Sequence, residues 1–125
     1  MWAADRASRH LGIEREEGGE GATRVRMVVR DWMANGHDIC HGGLVFALAD
    51  TAFALACNDG ADPTVAAACD IVFVSPARVG EVLVAEARER ARFGRSGIYD
   101  VTVRREDGAV VAEFRGHSRT VAVGR

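Results

Sequence analysis

Lysine is absent from the 125 residues: all 16 basic residues other than histidine are arginine, set against 18 acidic ones for a formal net charge of -2. No run of arginine gathers the basic face that nucleic-acid binding needs, so the charge pattern argues against a polyanionic partner. An all-arginine complement reflects genomic base composition as readily as function, although guanidinium groups also suit phosphate recognition. Cysteine is scarce and odd in number. Cys40, Cys57 and Cys69 are widely spaced, which argues against a disulfide framework and fits a reducing cytosol. The start, Met1-Trp2-Ala3-Ala4-Asp5-Arg6, lacks the basic residues and continuous apolar stretch of a secretory signal. The longest apolar run, Leu44 to Ala49, is interrupted by Asp50-Thr51 and is too short to span a bilayer. The expectation is a soluble, cytoplasmic protein of one domain, residues 1–125, able to bury an ordinary core without disulfide or metal staples.

Trp2 to Leu11 has the pattern of a short amphipathic helix, and the Gly/Glu-rich stretch Glu14 to Gly21 that of a surface hinge. Thr23 to Val29 alternates apolar and basic residues at period two, as a strand with one wet face does. Four more strands are expected near Val65–Val74, Glu81–Arg92, Gly97–Arg105 and Ala109–Val121, separated by Ser75-Pro76, Gly94 and Asp107-Gly108. Asp107-Gly108 is a strong hairpin signal. The Ala/Leu/Phe-rich run ending at Cys57 has the length and composition of a helix, stopped by Asn58-Asp59-Gly60. One long helix, apolar nearly all round, followed by consecutive antiparallel strands implies an α+β domain whose curved sheet wraps the helix. Such a sheet leaves edges that a second copy can pair, so a dimer or larger assembly is expected.

Residues Asn35 to Asn58 carry the chemistry. A polar, glycine-rich loop runs into the apolar helix, and one carboxylate, Asp50, sits in its middle. Burying an ionised carboxyl among Leu, Val, Phe and Ala is costly, and groups kept in such places are often kept for function. Gly42 and Gly43 stand where the helix begins, where unpaired N–H groups and the helix dipole can bind an oxygen that is becoming negative. Asp50 lies eight residues beyond Gly42, ~12 Å along one helix, too far for both to touch one reacting carbon. The two groups therefore either serve different tasks or meet across two chains. Asn35 and His41 flank the loop as neutral hydrogen-bonding groups; a turn and a helix cap are their ordinary structural uses.

A rival reading makes His37, Asp38, Cys40 and His41 metal ligands, but the histidines lie in loop rather than helix and no second cluster completes a coordination shell. Cys40 as a nucleophile lacks an evident base beside it. Gly94-Arg95-Ser96-Gly97 has the composition of a phosphate-cradling turn, and equally that of a strand connection.

The pattern Asn35-Gly36-His37, His41-Gly42-Gly43, Leu48-Ala49-Asp50-Thr51-Ala52 and Ala56-Cys57-Asn58 resembles the hotdog-fold acyl-CoA thioesterases, most closely the PaaI-type enzymes of phenylacetic acid degradation. Asp70-Ile71-Val72-Phe73, Ser75-Pro76-Ala77 and Gly94 to Val101 also match, so the resemblance runs from about Val25 to Val121. It implies a five- or six-stranded antiparallel sheet around the helix, dimers joined edge to edge, and tetramers made by pairing dimers. It implies a shared site as well: the Gly42 N–H polarises a thioester carbonyl, and Asp50 from the partner chain acts as general base or nucleophile. Asn35 would orient the attacking group and His41 would support the loop, with Gly43, Thr51, Arg95, Ser96 and Gly97 in substrate binding. Some relatives carry Glu at the Asp50 position and a hydroxyl one turn later. Here Ala54 leaves that role open, with Thr51 the candidate substitute. The expected reaction is hydrolysis of an acyl-CoA thioester, with the aryl-acetyl acyl group implied by the subgroup, no metal or cofactor, and coenzyme A as part of the substrate. A hotdog acyl-CoA hydratase or dehydratase, and a non-catalytic acyl-CoA-binding module, are the alternatives.

Overall fold

The computed structural model describes residues 2–16, 22–58 and 62–121. Six antiparallel strands form one sheet, β1 (Glu14–Glu16), β2 (Thr23–Val28), β3 (Thr64–Phe73), β4 (Val82–Phe93), β5 (Ser96–Arg105) and β6 (Val110–Thr120), in the order β1-β2-β4-β5-β6-β3. A short helix, α1 (Arg6–His10), precedes them, and the long helix α2 (Gly42–Cys57) lies against the sheet. The alternation expected of the strands is realised. Val25 and Met27 of β2, Leu83, Ala85 and Ala87 of β4, and Val101 and Val103 of β5 are buried against α2, as are Ala112 and Phe114 of β6. Gly116 belongs to that face because a Cβ there would stand 2.7 Å from the Phe53 ring of α2, closer than any side chain could be fitted without displacing the helix. The expected fold class, a curved antiparallel sheet around a central helix, is the one observed.

Three local expectations change. Trp2 to Leu11 is not one helix. Trp2–Ala4 forms a 3-10 turn, and α1 restarts behind Asp5, whose Oδ1 accepts from the Ser8 N–H at 2.9 Å as an N-cap. Nor is the stretch from Glu14 wholly hinge. Glu14, Arg15 and Glu16 pair with Arg26, Val25 and Arg24 as β1, with Arg26 reaching Glu14 at 3.3 Å and Glu16 at 3.5 Å. A three-residue strand of charged residues has no hydrophobic period to betray it, and its charges blunt one sheet edge. The rest of that hinge, residues 17–21, lies outside the described residues. The third difference concerns α2, which is buried where it meets the sheet and α1; Gly43, Ala47, Asp50 and Ala54, three or four residues apart, lie along its more open side.

At its C-terminus α2 is closed by Asn58, whose amide donates to the carbonyls of Ala54 (2.8 Å) and Thr64 (2.9 Å) while its Oδ1 accepts from the Thr64 N–H at 2.9 Å. The expected Asp59-Gly60 stop falls outside the described residues. β3, at the opposite edge from β1, is long and exposes Val65, Val72 and Phe73. Among the described residues no helix is long and apolar enough to cross a membrane.

Candidate active site

The loop that delivers α2 is built around Asn35. Its backbone N–H donates to the Ile39 carbonyl at 2.8 Å, and its side-chain Oδ1 accepts from the N–H groups of His37 (2.9 Å) and Ile39 (3.3 Å). The Asn35 carboxamide oxygen thus organises the turn, and Asp38 takes a left-handed φ of 62° within it. Cys40 donates its N–H to the Ala77 carbonyl at 2.7 Å and His41 its N–H to that of Met33 at 2.8 Å, pinning the loop's exit to the fold.

His41 then caps α2, its Nδ1 accepting the Gly43 N–H at 3.2 Å while its carbonyl accepts from Leu44 and Val45. A cap of this kind satisfies Gly43 and leaves Gly42. Among the described residues the Gly42 N–H finds no acceptor, and Gly42 lines a cleft of ≈ 460 Å³ with Asn35, Cys40, Phe73, Pro76 and Val111 among others. A Cβ at Gly42 would stand 3.0 Å from Phe73 Cζ, so glycine keeps the approach to that N–H open. The structure therefore brings Asn35, His41, Gly42 and Gly43 together at one end of the helix.

Asp50 is not among the residues lining this cleft. It sits half-buried on the open side of α2, two turns on, and among the described residues its carboxylate accepts no hydrogen bond. Burial, and secondarily the charge of Asp5, pushes its pKa up from the usual carboxylate range. A half-buried, unpartnered carboxylate that resists ionisation is a better proton acceptor than a solvated one once it is charged. Thr51, next to it, does not face the cleft; its hydroxyl is 2.9 Å from both the Ala47 carbonyl and Ser8 Oγ.

Arg95, Ser96 and Gly97 lie at the far end of the sheet. Ser96 pairs with Arg119 on β6, eight positions from the cleft residue Val111, which is about 26 Å along a strand. Gly97 is held tightly, since a Cβ there would meet Ser118 Oγ at 2.8 Å and Tyr99 at 2.9 Å. Burial pushes the Cys40 thiol up to about 11, away from the thiolate a nucleophile needs. Among the described residues no three His, Cys, Asp or Glu side chains are grouped to hold a metal ion. Sequence reasoning missed Phe73 and Val111 as cleft walls, because residues on two neighbouring strands share a site only through their register. Ser75-Pro76, expected as a strand break and as part of the family pattern but given no place in the site, lines the same cleft.

Comparison with known proteins agrees with this architecture. The family model described as "Thioesterase superfamily" matches residues 37–112. The acyl-coenzyme A thioesterase PaaI of Escherichia coli is 41% identical over 121 residues, 97% of this chain and 86% of that protein. The structure of E. coli PaaI, from the phenylacetic acid degradation operon, superposes with a TM-score of 0.93 over 98% of this chain and 88% of that one. A mutant of the phenylacetic acid degradation protein PaaI of Thermus thermophilus is 35% identical, with a TM-score of 0.87 over 94% of this chain and 100% of that one. With 41% identity carried over nearly its whole length, the chain belongs to the hotdog-fold thioesterase superfamily, as a PaaI-type acyl-CoA thioesterase.

Proposed function

We propose that the protein hydrolyses aryl-acetyl-CoA thioesters, such as phenylacetyl-CoA or a ring-hydroxylated form, to the free acid and coenzyme A, at a site shared between two chains. The observation that carries this reading is the division within one chain: among the described residues, an N–H donor without an acceptor at Gly42 beside an apolar cleft, and a carboxylate without a hydrogen bond at Asp50 two helical turns away. Two-fold pairing along the exposed edge of β3, with Val65, Val72 and Phe73 buried between copies, supplies the missing half. The same pairing covers the open side of α2. It also sets the far end of one sheet beside the near end of the other, which brings the Arg95-Ser96-Gly97 turn toward the partner's cleft as a contact for the CoA moiety.

In this site the Gly42 N–H, backed by the first turn of α2, donates to the thioester carbonyl oxygen as negative charge develops there. Asp50 of the second copy takes a proton from water as the water oxygen bonds to the carbonyl carbon, or attacks that carbon itself to give a mixed anhydride that water then cleaves; in either route the C–S bond breaks and CoA departs as its thiolate. Asn35, its oxygen occupied by the turn, offers its amide N–H to orient the attacking group, and His41 holds the loop and Gly43 in place. The aryl-acetyl group is supported by the phenylacetic acid degradation operon from which the E. coli relative comes.

A panel of acyl-CoAs with detection of released thiol tests the reading. Aryl-acetyl-CoAs should turn over with the highest kcat/KM; faster hydrolysis of straight-chain substrates overturns the acyl assignment, and no thiol release from any of them overturns hydrolysis. Asn35→Asp separates the two uses of that residue, because it keeps an acceptor for the His37 and Ile39 N–H groups but removes the donor. We expect about a tenfold loss in kcat with little change in Tm; an unchanged rate leaves Asn35 as a turn residue only. Dialysis against a strong chelator and the Cys40→Ser substitution should each leave the rate within about twofold, as the chemistry uses a backbone donor and a carboxylate. Loss restored by added Zn²⁺ would revive a metal site, and loss with Cys40→Ser alone a thiol mechanism.

A further inference from the structure

The buried polar side chains among the described residues are Ser8, Thr51 and Ser118. Two of them face each other where α1 meets α2, hydroxyl to hydroxyl at 2.9 Å. Ser8 also grips Asp5, its Oγ donating to Oδ2 at 2.7 Å and its N–H to Oδ1 at 2.9 Å, so both carboxylate oxygens are held. With the Ser8 hydroxyl proton committed to Asp5, the Ser8–Thr51 contact requires the proton of Thr51, for which the Ala47 carbonyl competes at 2.9 Å. Whichever of the two the Thr51 proton serves, the hydroxyl contact and the Ser8–Asp5 bonds set the Asp5 carboxylate beside the turn of α2 that carries Asp50. Capping a five-residue helix needs only the N–H bond from Ser8 to Asp5. The buried bridge to Thr51 does something further: it determines where the Asp5 charge stands.

Among the described residues of its own chain, the titratable groups that bear on Asp50 are few. From β3 comes Cys69, whose thiol is pushed up by burial first and then by the charges of Asp50 and Asp70. β2, β4, β5 and β6 turn mainly apolar side chains to the helix, Met27, Leu83, Val101 and Phe114 among them. Tyr99 of β5 is the titratable exception, and its hydroxyl is tied to Glu89 at 3.0 Å and Arg92 at 3.2 Å. From the N-terminal side stands Asp5.

We propose that Asp5 is a positioning residue for the hydrolysis: anchored to α2 through Ser8 and Thr51, it keeps a second carboxylate beside the turn of α2 that carries Asp50 and so governs how readily Asp50 binds a proton. This rests on Asp50 being the reacting carboxylate, which must be ionised whether it draws a proton from water or attacks directly. A neighbouring negative charge disfavours the second ionisation and makes the resulting carboxylate the stronger base. The shift of Asp50 toward higher pKa has Asp5 as its second cause, after burial.

Asp5→Asn in the full chain tests the proposal, because Asn caps a helix as well as Asp does, its Oδ1 keeping the Ser8 N–H while its NH2 donates to the Ser8 hydroxyl that Asp5 accepted from, and the charge is lost. Two quantities are read: the acid limb of the kcat/KM profile against pH, and the titration midpoint of the Asp50 carboxyl by ¹³C NMR. Both should move to lower pH, and the plateau kcat should fall roughly two- to fivefold with KM little changed, as the base weakens. Should that variant not fold, Asp5→Ser, which also caps well, should give the same displacement. A folded variant in which limb and midpoint both stay at their wild-type positions overturns the proposal and leaves Asp50 as the reacting group. A midpoint that moves while the limb does not shows that another group reacts, which overturns the assignment of Asp50 and this proposal with it.

Discussion

Asp50→Asn should lower kcat on an aryl-acetyl-CoA by about 10²–10⁴-fold while KM changes little, because the amide keeps the side chain's size but neither accepts a proton as a carboxylate nor attacks as one. The same substitution should stabilise the fold at neutral pH. Burial and the Asp5 charge raise the folded-state pKa of Asp50 above its unfolded value. The stability contributed by the protonated form is therefore fully present below the unfolded pKa and is lost as the pH rises through the folded one. At neutral pH the native protein carries an ionised Asp50 at a cost that Asn does not incur. The variant's Tm should exceed the wild type's there, and the difference should close as the pH falls below the carboxylate range. Near wild-type turnover in a folded variant removes Asp50 from the mechanism, and an equal or lower Tm at neutral pH removes the argument that its charge is held against the fold's preference.

Mixed dimers of two inactive variants should recover about a quarter of wild-type activity, since random pairing makes half the dimers hybrid and two-fold symmetry leaves half the sites of each hybrid intact. Gly42→Pro supplies one parent. It removes the N–H that would bind the carbonyl oxygen, at the first helical position, where proline is tolerated. The preceding residue, His41, already has φ -58° and ψ 132°, the extended backbone that a following proline demands. The added ring atoms press on the far end of the Phe73 ring, which must give by a few tenths of an ångström to admit them. Asp50→Ala supplies the other parent. After joint unfolding and refolding, one site of each hybrid unites Gly42 from the Asp50→Ala chain with Asp50 from the Gly42→Pro chain. Hybrids that form from folded parents yet show no activity would mean that the two groups do not act across an interface.

Much of this was legible along the chain for physical reasons. Period-two alternation marks β2 and the first half of β4 because each has one face on the core, and Asp107-Gly108 marks a hairpin because Gly108 adopts a φ of 89° that other residues resist. The length and composition of the run to Cys57 mark α2. β1 escaped because its three charged residues gain their place from pairing with β2 rather than from any pattern of their own. The break in the N-terminal helix escaped for a related reason: Asp5 is an ordinary surface residue until its cap to Ser8 is formed.

The candidate site divides in the same way. Sequence alone determined the helix, the glycines at its start, the single carboxylate within it and the two-turn spacing that keeps Gly42 and Asp50 apart, because helical rise is a local property. Only the tertiary structure decided that His41 satisfies Gly43 and leaves the Gly42 N–H open, that Asn35 uses its oxygen on its own loop, and that Thr51 turns to Ser8. It alone placed Phe73 and Val111 in one cleft and Arg95 a strand's length away. These outcomes depend on which hydrogen-bonding groups compete for each partner and on the register between strands, and both exist only once distant segments have been packed together.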